Sequence, residues 1–157
     1  MAYKILFSDI DGTLLDAERT LSEKTIKVLS HLKYQFPIVL ISSRMPIQMH
    51  YLQEKAGILG MPLIAYNGAL VIDKDRKVLR SIEIPFSLCQ QIVALNQQYT
   101  GGNLHISFYH FDEWYVPKAD QWAQREVRNT CTTPMVKTNQ EVLSLWGFQN
   151  RGAHKLM

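Results

Sequence analysis

Cysteine is scarce in this chain: Cys89 and Cys131 are the only two in 157 residues. They lie far apart and outside any CxxC spacing, which excludes a disulfide framework or a cysteine-built zinc site and makes reduced thiols the expectation. Long apolar runs are missing too, since no stretch approaches the ~18 residues of a membrane span. The first residues lack a basic segment followed by an apolar signal core, so the chain is expected to be cytoplasmic, with no membrane partner. Positive charge is thin and dispersed. The net charge is +3 without any basic run, which argues against a nucleic-acid partner and leaves small anionic substrates open. No internal repeat or low-complexity tract is visible.

What is present is an ordinary folded composition, 46% apolar and 20% charged, enough for one domain or slightly more. The first half alternates short apolar runs with amphipathic segments. Tyr3 to Ser8 reads as a buried strand, and its continuous apolar character suggests a parallel sheet. Ser22 can cap a helix whose Ile26, Leu29 and Leu32 share a face. Phe36 to Ile41 is a second strand, stopping at Ser42-Ser43-Arg44. Pro46 then opens a helix that carries Met49, Leu52 and Ala56 inward and ends at Gly57. Pro62 to Tyr66 is a third strand, stopping at Asn67-Gly68. This is a βαβαβ unit, and right-handed crossovers bring its three strand ends to one edge.

Beyond residue 70 the pattern becomes α+β. Val71-Ile72 and Val78-Leu79 flank the charged segment 73–77 like the arms of a hairpin. Phe86 to Tyr99 reads as a helix, Leu104 to Tyr109 and Trp114 to Val116 as a strand pair, and Ala119 to Asn129 as a helix. Lys155-Leu156-Met157 reads as an apolar strand. A composition boundary at Ile84-Pro85 divides the chain into residues 1–84 and 85–157.

The chemistry is concentrated in Asp9-Ile10-Asp11-Gly12-Thr13. Carboxylates two apart on a strand point to opposite faces, so both can serve one site only where the strand ends and the backbone turns at Gly12. There the Asp9 carboxylate can attack phosphorus while a divalent cation offsets its repulsion from the phosphoryl oxygens. Asp11 can move the proton to the leaving oxygen and later from water. Gly12 and Thr13 would turn backbone N–H groups toward the phosphoryl group. A calcium loop does not fit, because its sixth and twelfth positions hold Leu14 and Thr20 where glycine and glutamate are needed.

Residues 7–15, Phe-Ser-Asp-Ile-Asp-Gly-Thr-Leu-Leu, resemble the first motif of the haloacid-dehalogenase-like (HAD) superfamily in its phosphatase branch. Val39-Leu40-Ile41-Ser42-Ser43-Arg44 resembles the Ala-Thr-Gly-Arg segment of its Cof-type subfamily, with Ser43 in place of glycine. Asn67-Gly68-Ala69 resembles that subfamily's third strand end. The resemblance implies a Rossmann-like parallel three-layer α/β core over residues 1–84, present in part, with an α+β cap insertion, also in part, over residues 85–157. It further implies a magnesium-dependent phosphatase of small phosphorylated metabolites such as sugar phosphates, acting through an aspartyl-phosphate. Asp9 and Asp11 are then catalytic and hold Mg2+, the latter through its carbonyl. Gly12, Thr13, Ser42, Ser43, Asn67 and Gly68 line the phosphate, and Arg44 either touches substrate or faces solvent.

The family's third-motif lysine and fourth-motif carboxylates are not matched, and Lys155 sits in a cap-like setting. The chain is accordingly expected to be a fragment or truncated form of a longer phosphatase. The alternative is a non-catalytic phosphate-binding or interaction fragment. Taken singly, Asp11-Gly12 and Asn67-Gly68 also read as simple turns, and Ser42 as a helix cap. The five histidines are not expected to build a metal site: His31 and His50 fall on helices without a paired ligand, and His105 and His110 have opposite parity on one strand. Trp114, Tyr115, Trp122 and Trp146 are expected to form the core of the second half. The oligomeric state stays open.

Overall fold

The structure, a computed structural model, describes residues 4–157, so the Tyr3 end of the first expected strand lies outside the described residues. The chain divides into two compact units, one running to Ser81 and the other spanning Ile82–Met157.

The first unit is built on a five-stranded sheet whose spatial order follows the sequence, β1 (Leu6–Asp9), β2 (Ile38–Ile41), β3 (Leu63–Ala65), β4 (Leu70–Ile72) and β5 (Val78–Ser81). β1, β2 and β3 run parallel, and β4 and β5 add antiparallel. Parallel neighbours need crossovers, and helices α1 (Glu23–Leu32) and α2 (Pro46–Lys55) supply them. Ser22 caps α1 as expected, its hydroxyl accepting the Thr25 N–H at 3.1 Å. Leu29 of α1, Leu40 of β2 and Leu52 of α2 meet around one apolar gap, so both helices cover the same face of the sheet. The opposite face carries Phe7, which is 54% exposed. The charged segment is a solvated turn in which Asp73 Oδ1 accepts the N–H groups of Asp75 and Lys77, both at 2.9 Å.

In the second unit, α3 (Phe86–Thr100), β6 (Phe108–His110), β7 (Glu113–Val116), α4 (Gln121–Thr130), β8 (Met135–Val136), α5 (Asn139–Gly147) and β9 (Lys155–Leu156) follow in turn. The strand order is β8-β7-β6-β9. β6 is shorter than the apolar run suggests because Leu104 is drawn off toward α3: its N–H and C=O both bond the Asn96 side chain. Helix α5 went unread in the sequence, although Thr138 and Glu141 form a reciprocal capping box at its start. Trp114, Tyr115 and Trp146 are buried as expected, whereas Trp122 is 53% exposed and lies outside the core. It stands on α4 beside Leu104, His105 and Arg125, in an open groove of about 610 Å³. Among the described residues no helix is long and apolar enough to cross a membrane.

Candidate active site

The expected constellation lies in the first unit, at the C-terminal ends of β1, β2 and β3, which is where open α/β sheets place ligands. Asp9 closes β1 and is exposed. Directly after it the backbone turns, with Thr13, Leu14 and Leu15 all donating N–H groups to Ile10 O at 3.4, 3.0 and 3.1 Å. Gly12 has φ of +80°, a conformation that a side chain would strain. The Thr13 amide is thus directed at Ile10 and not at an incoming anion. It is the Thr13 hydroxyl that reaches the site, donating to Asp9 Oδ2 at 3.4 Å.

Ser42 follows β2, is buried, and accepts the Arg44 N–H on its Oγ at 3.2 Å. This bond does not cap α2, whose N-cap is Met45, and the Ser42 hydroxyl also bonds the Asp11 carboxylate. Ser43 is exposed. The third strand end is tied to the second through the backbone: Ser42 N–H donates to Ile64 O at 3.0 Å, and Asn67 N–H to Ser42 O at 3.0 Å. Tyr66, Asn67 and Gly68 all have positive φ, 52°, 55° and 94°. Asn and Gly tolerate this region, but Tyr does not readily, so the tight third corner stores some strain.

Of its two expected roles, Arg44 does not take the solvent-facing one. It is 7% exposed and grips Asp11 with both arms of its guanidinium, Nε to Oδ2 at 2.9 Å and a terminal nitrogen to Oδ1 at 2.7 Å. Arg19, which drew no notice in the sequence, stands 3.7 Å from the same carboxylate. The Arg44 hydrogen bonds hold the Asp11 carboxyl below the ordinary aspartate range; partial burial opposes them, and the Arg44 and Arg19 charges and the Ser42 hydroxyl assist.

One expected outcome follows for the pair. Arg44→Gln should move the Asp11 titration, followed by carbon NMR, up toward 3.8. It should also cost about 1–2 kcal/mol at neutral pH, between the values for exposed and buried ion pairs. Because the folded-state value is depressed, the contribution is full above the unfolded value and fades as pH falls through the folded one. The difference between wild type and variant should therefore shrink on acidification below 3.8; an unchanged gap would show that Arg44 acts through packing alone.

The donors fit a hard cation. Asp9 offers a carboxylate at the strand end and Asp11 a carbonyl, both oxygens, while the Asp11 carboxylate is committed to Arg44. One or two protein oxygens with water and phosphate completing the shell is a usual mode for Mg2+.

Other constellations in the chain mislead. Asp120, His105 and Ser107 are spaced like a nucleophilic triad, with Asp120 Oδ2 to His105 Nδ1 at 3.0 Å and His105 Nε2 to Ser107 Oγ at 2.8 Å. Ser107 is 0% exposed, so no substrate reaches its oxygen. Lys155 belongs to β9, its ammonium 4.9 Å from the Tyr109 ring centroid.

A family model described as haloacid dehalogenase-like hydrolase matches residues 6–156. A solved structure from Thermotoga maritima is similar at 26% identity and TM-score 0.82, over 98% of this chain and 55% of that one. A putative HAD/COF-like hydrolase from Plasmodium vivax shares the fold at 18% identity and TM-score 0.77, over 91% and 53%. A sugar phosphatase of HAD subclass IIB shares it at 19% identity and TM-score 0.69, over 90% and 55%. The chain thus spans about half the length of the solved structures it matches.

Proposed function

Because the chain belongs to the haloacid dehalogenase-like hydrolases, we propose that it carries the nucleophile-bearing part of a magnesium-dependent phosphatase acting on small phosphorylated metabolites. Sugar phosphates are the first class to try, given the sugar phosphatase among its structural neighbours. The observation that supports this most directly is the exposed Asp9 carboxylate at the end of β1, with the Thr13 hydroxyl orienting it.

Asp9 attacks phosphorus, the bond to the leaving oxygen breaks, and the phosphoryl group is carried on the Asp9 carboxylate. Mg2+ bound by the Asp9 carboxylate and the Asp11 carbonyl would supply positive charge against the phosphoryl oxygens. The Ser42 hydroxyl and the Asn67 side chain line the strand ends for the same oxygens. Asp11 delivers a proton to the leaving oxygen, and afterwards takes one from the water that attacks the acyl phosphate. Arg44 is a positioning residue for Asp11, fixing its carboxylate in one orientation.

The second reading is phosphate binding without turnover. One observation favours it: a carboxyl held ionised by Arg44 is a poor proton donor. The readings separate in a panel of phosphomonoesters assayed with and without Mg2+. Mg2+-stimulated release of phosphate supports the first reading, and saturable binding of inorganic phosphate with no release supports the second.

A further inference from the structure

In the second unit, three ligand-type side chains converge from separate segments: Glu83 from the irregular segment leading into α3, His110 from the end of β6, and His154 from just before β9. One ligand atom from each lies within 4.8 Å of the others. We propose that Glu83, His110 and His154 bind a divalent transition ion of the Zn2+ class. This site is separate from the strand-end site of the first unit and independent of its reading.

Parity along one strand could not reveal it. His110 meets a histidine from another strand, paired by antiparallel register rather than by sequence spacing: His154 N–H donates to Tyr109 O at 2.8 Å, beside the Tyr109–Lys155 pair. The two rings stand with centroids 5.0 Å apart. Both residues are buried, at 7% and 6% exposure. Burial depresses both imidazoles below the ordinary histidine value, His154 to about 4.

The groups around them hold the ligands in place. The Gly152 peptide clamps two of the three: its N–H donates to Glu83 Oε2 at 2.8 Å, and its carbonyl accepts from His110 Nδ1 at 3.0 Å. A side chain at residue 152 would run into the Ile84 carbonyl, so only glycine lets the peptide come this close. The backbone N–H of Phe111 fixes His154 through Nδ1 at 3.3 Å. Such outer contacts are the usual means by which metal ligands are oriented. Arg151, whose charge bears on both histidines, is paired with Glu113 at 2.9 Å.

Glu83 and His110 do not bond each other directly. Glu83 Oε1 is 3.7 Å from His110 Nδ1, too far for a hydrogen bond. Around a tetrahedral ion with bonds of about 2.1 Å, neighbouring ligands sit roughly 3.4 Å apart, so ligand atoms that lie within 4.8 Å of one another would have to draw together. Two imidazoles and one carboxylate suit Zn2+ and its neighbours in the first transition row, and they disfavour Mg2+ and Ca2+, which take oxygen. With three protein ligands, the fourth position falls to water. The bound ion would pin the chain where it enters the second unit to the β6 and β9 ends.

The test uses the full chain with Cys131→Ser, because Cys131 is an exposed thiol that would bind metal on its own. After chelator treatment and dialysis against Co2+, we expect one ion per chain, with the intense visible absorption of four-coordinate cobalt. It should be displaced by Zn2+ and not by excess Mg2+. Glu83→Gln, which preserves size, and His154→Ala should each weaken binding roughly tenfold or more, while His31→Ala, on α1, should change nothing. Circular dichroism confirms folding, and Glu83→Gln carries the test if His154→Ala does not fold. No bound ion, an ion that survives Glu83→Gln, or one displaced by Mg2+ would overturn the proposal.

Discussion

Replacing Asp9 by Asn should lower Mg2+-stimulated phosphate release from the best phosphomonoester by roughly three orders of magnitude or more, the scale of losing a nucleophile. The substitution is nearly isosteric and keeps an acceptor for the Thr13 hydroxyl, so the turn after β1 should survive. Asp9 is exposed, and stability should stay within about 0.5 kcal/mol of wild type. These two expectations separate a chemical loss from a folding loss. Binding of inorganic phosphate should move the other way, since removing a carboxylate beside an anion relieves repulsion. Equal, negligible release from both proteins, with tighter phosphate binding in the variant, would sink turnover by this chain and leave the binding reading. Measurable release by Asp9→Asn would instead assign the nucleophile elsewhere.

The second large effect concerns stability. Trp146 is 0% exposed, and its ring meets Phe108 edge-on at 5.5 Å and Tyr115 at 6.0 Å, while the Arg151 guanidinium lies over it at 5.6 Å. It packs in the cluster that gathers Cys89 of α3, Ile106 before β6, Val142 and Leu143 of α5 and Ala153 before β9. Trp146→Ala should therefore cost about 3–5 kcal/mol. A unit of this length has only roughly 4–11 kcal/mol to lose, so the variant should be marginal or unfolded in the second unit. Urea titration followed by circular dichroism measures it. Trp122→Ala, at an exposed ring on α4, should stay within about 0.5 kcal/mol. A Trp146→Ala loss below about 1 kcal/mol would mean that the cluster relaxes around the hole.

The difference between those two tryptophans shows where sequence reasoning stops. The three strand ends of the first unit were legible because each apolar run halts at polar or small residues, and because Ser22 and Pro46 punctuate the helices between them. These signals are local. Trp122 and Trp146 have the same side chain, and only packing against α3, α5 and the sheet decides which is buried. Helix α5 was missed because its apolar face is short, although its capping box was readable. The Asp11–Arg44 grip joins residues 33 apart, and it makes Arg44 a clamp on another side chain. No periodicity encodes such a pairing. Glu83, His110 and His154 come together from three segments for the same reason.

The two sheets also impose different schedules on synthesis. In the first, spatial order equals chain order from β1 to β5, so each strand finds its neighbour already in place as it leaves the ribosome, and only short loops need closing. In the second, β6 waits for β9, which begins at Lys155. Its four-stranded sheet and the Trp146 cluster, which includes Ala153, cannot close until Lys155 and Leu156 have emerged. A nascent chain that has emerged past Ser81 should thus already resist protease across the first unit, while the second stays cleavable until β9 has emerged.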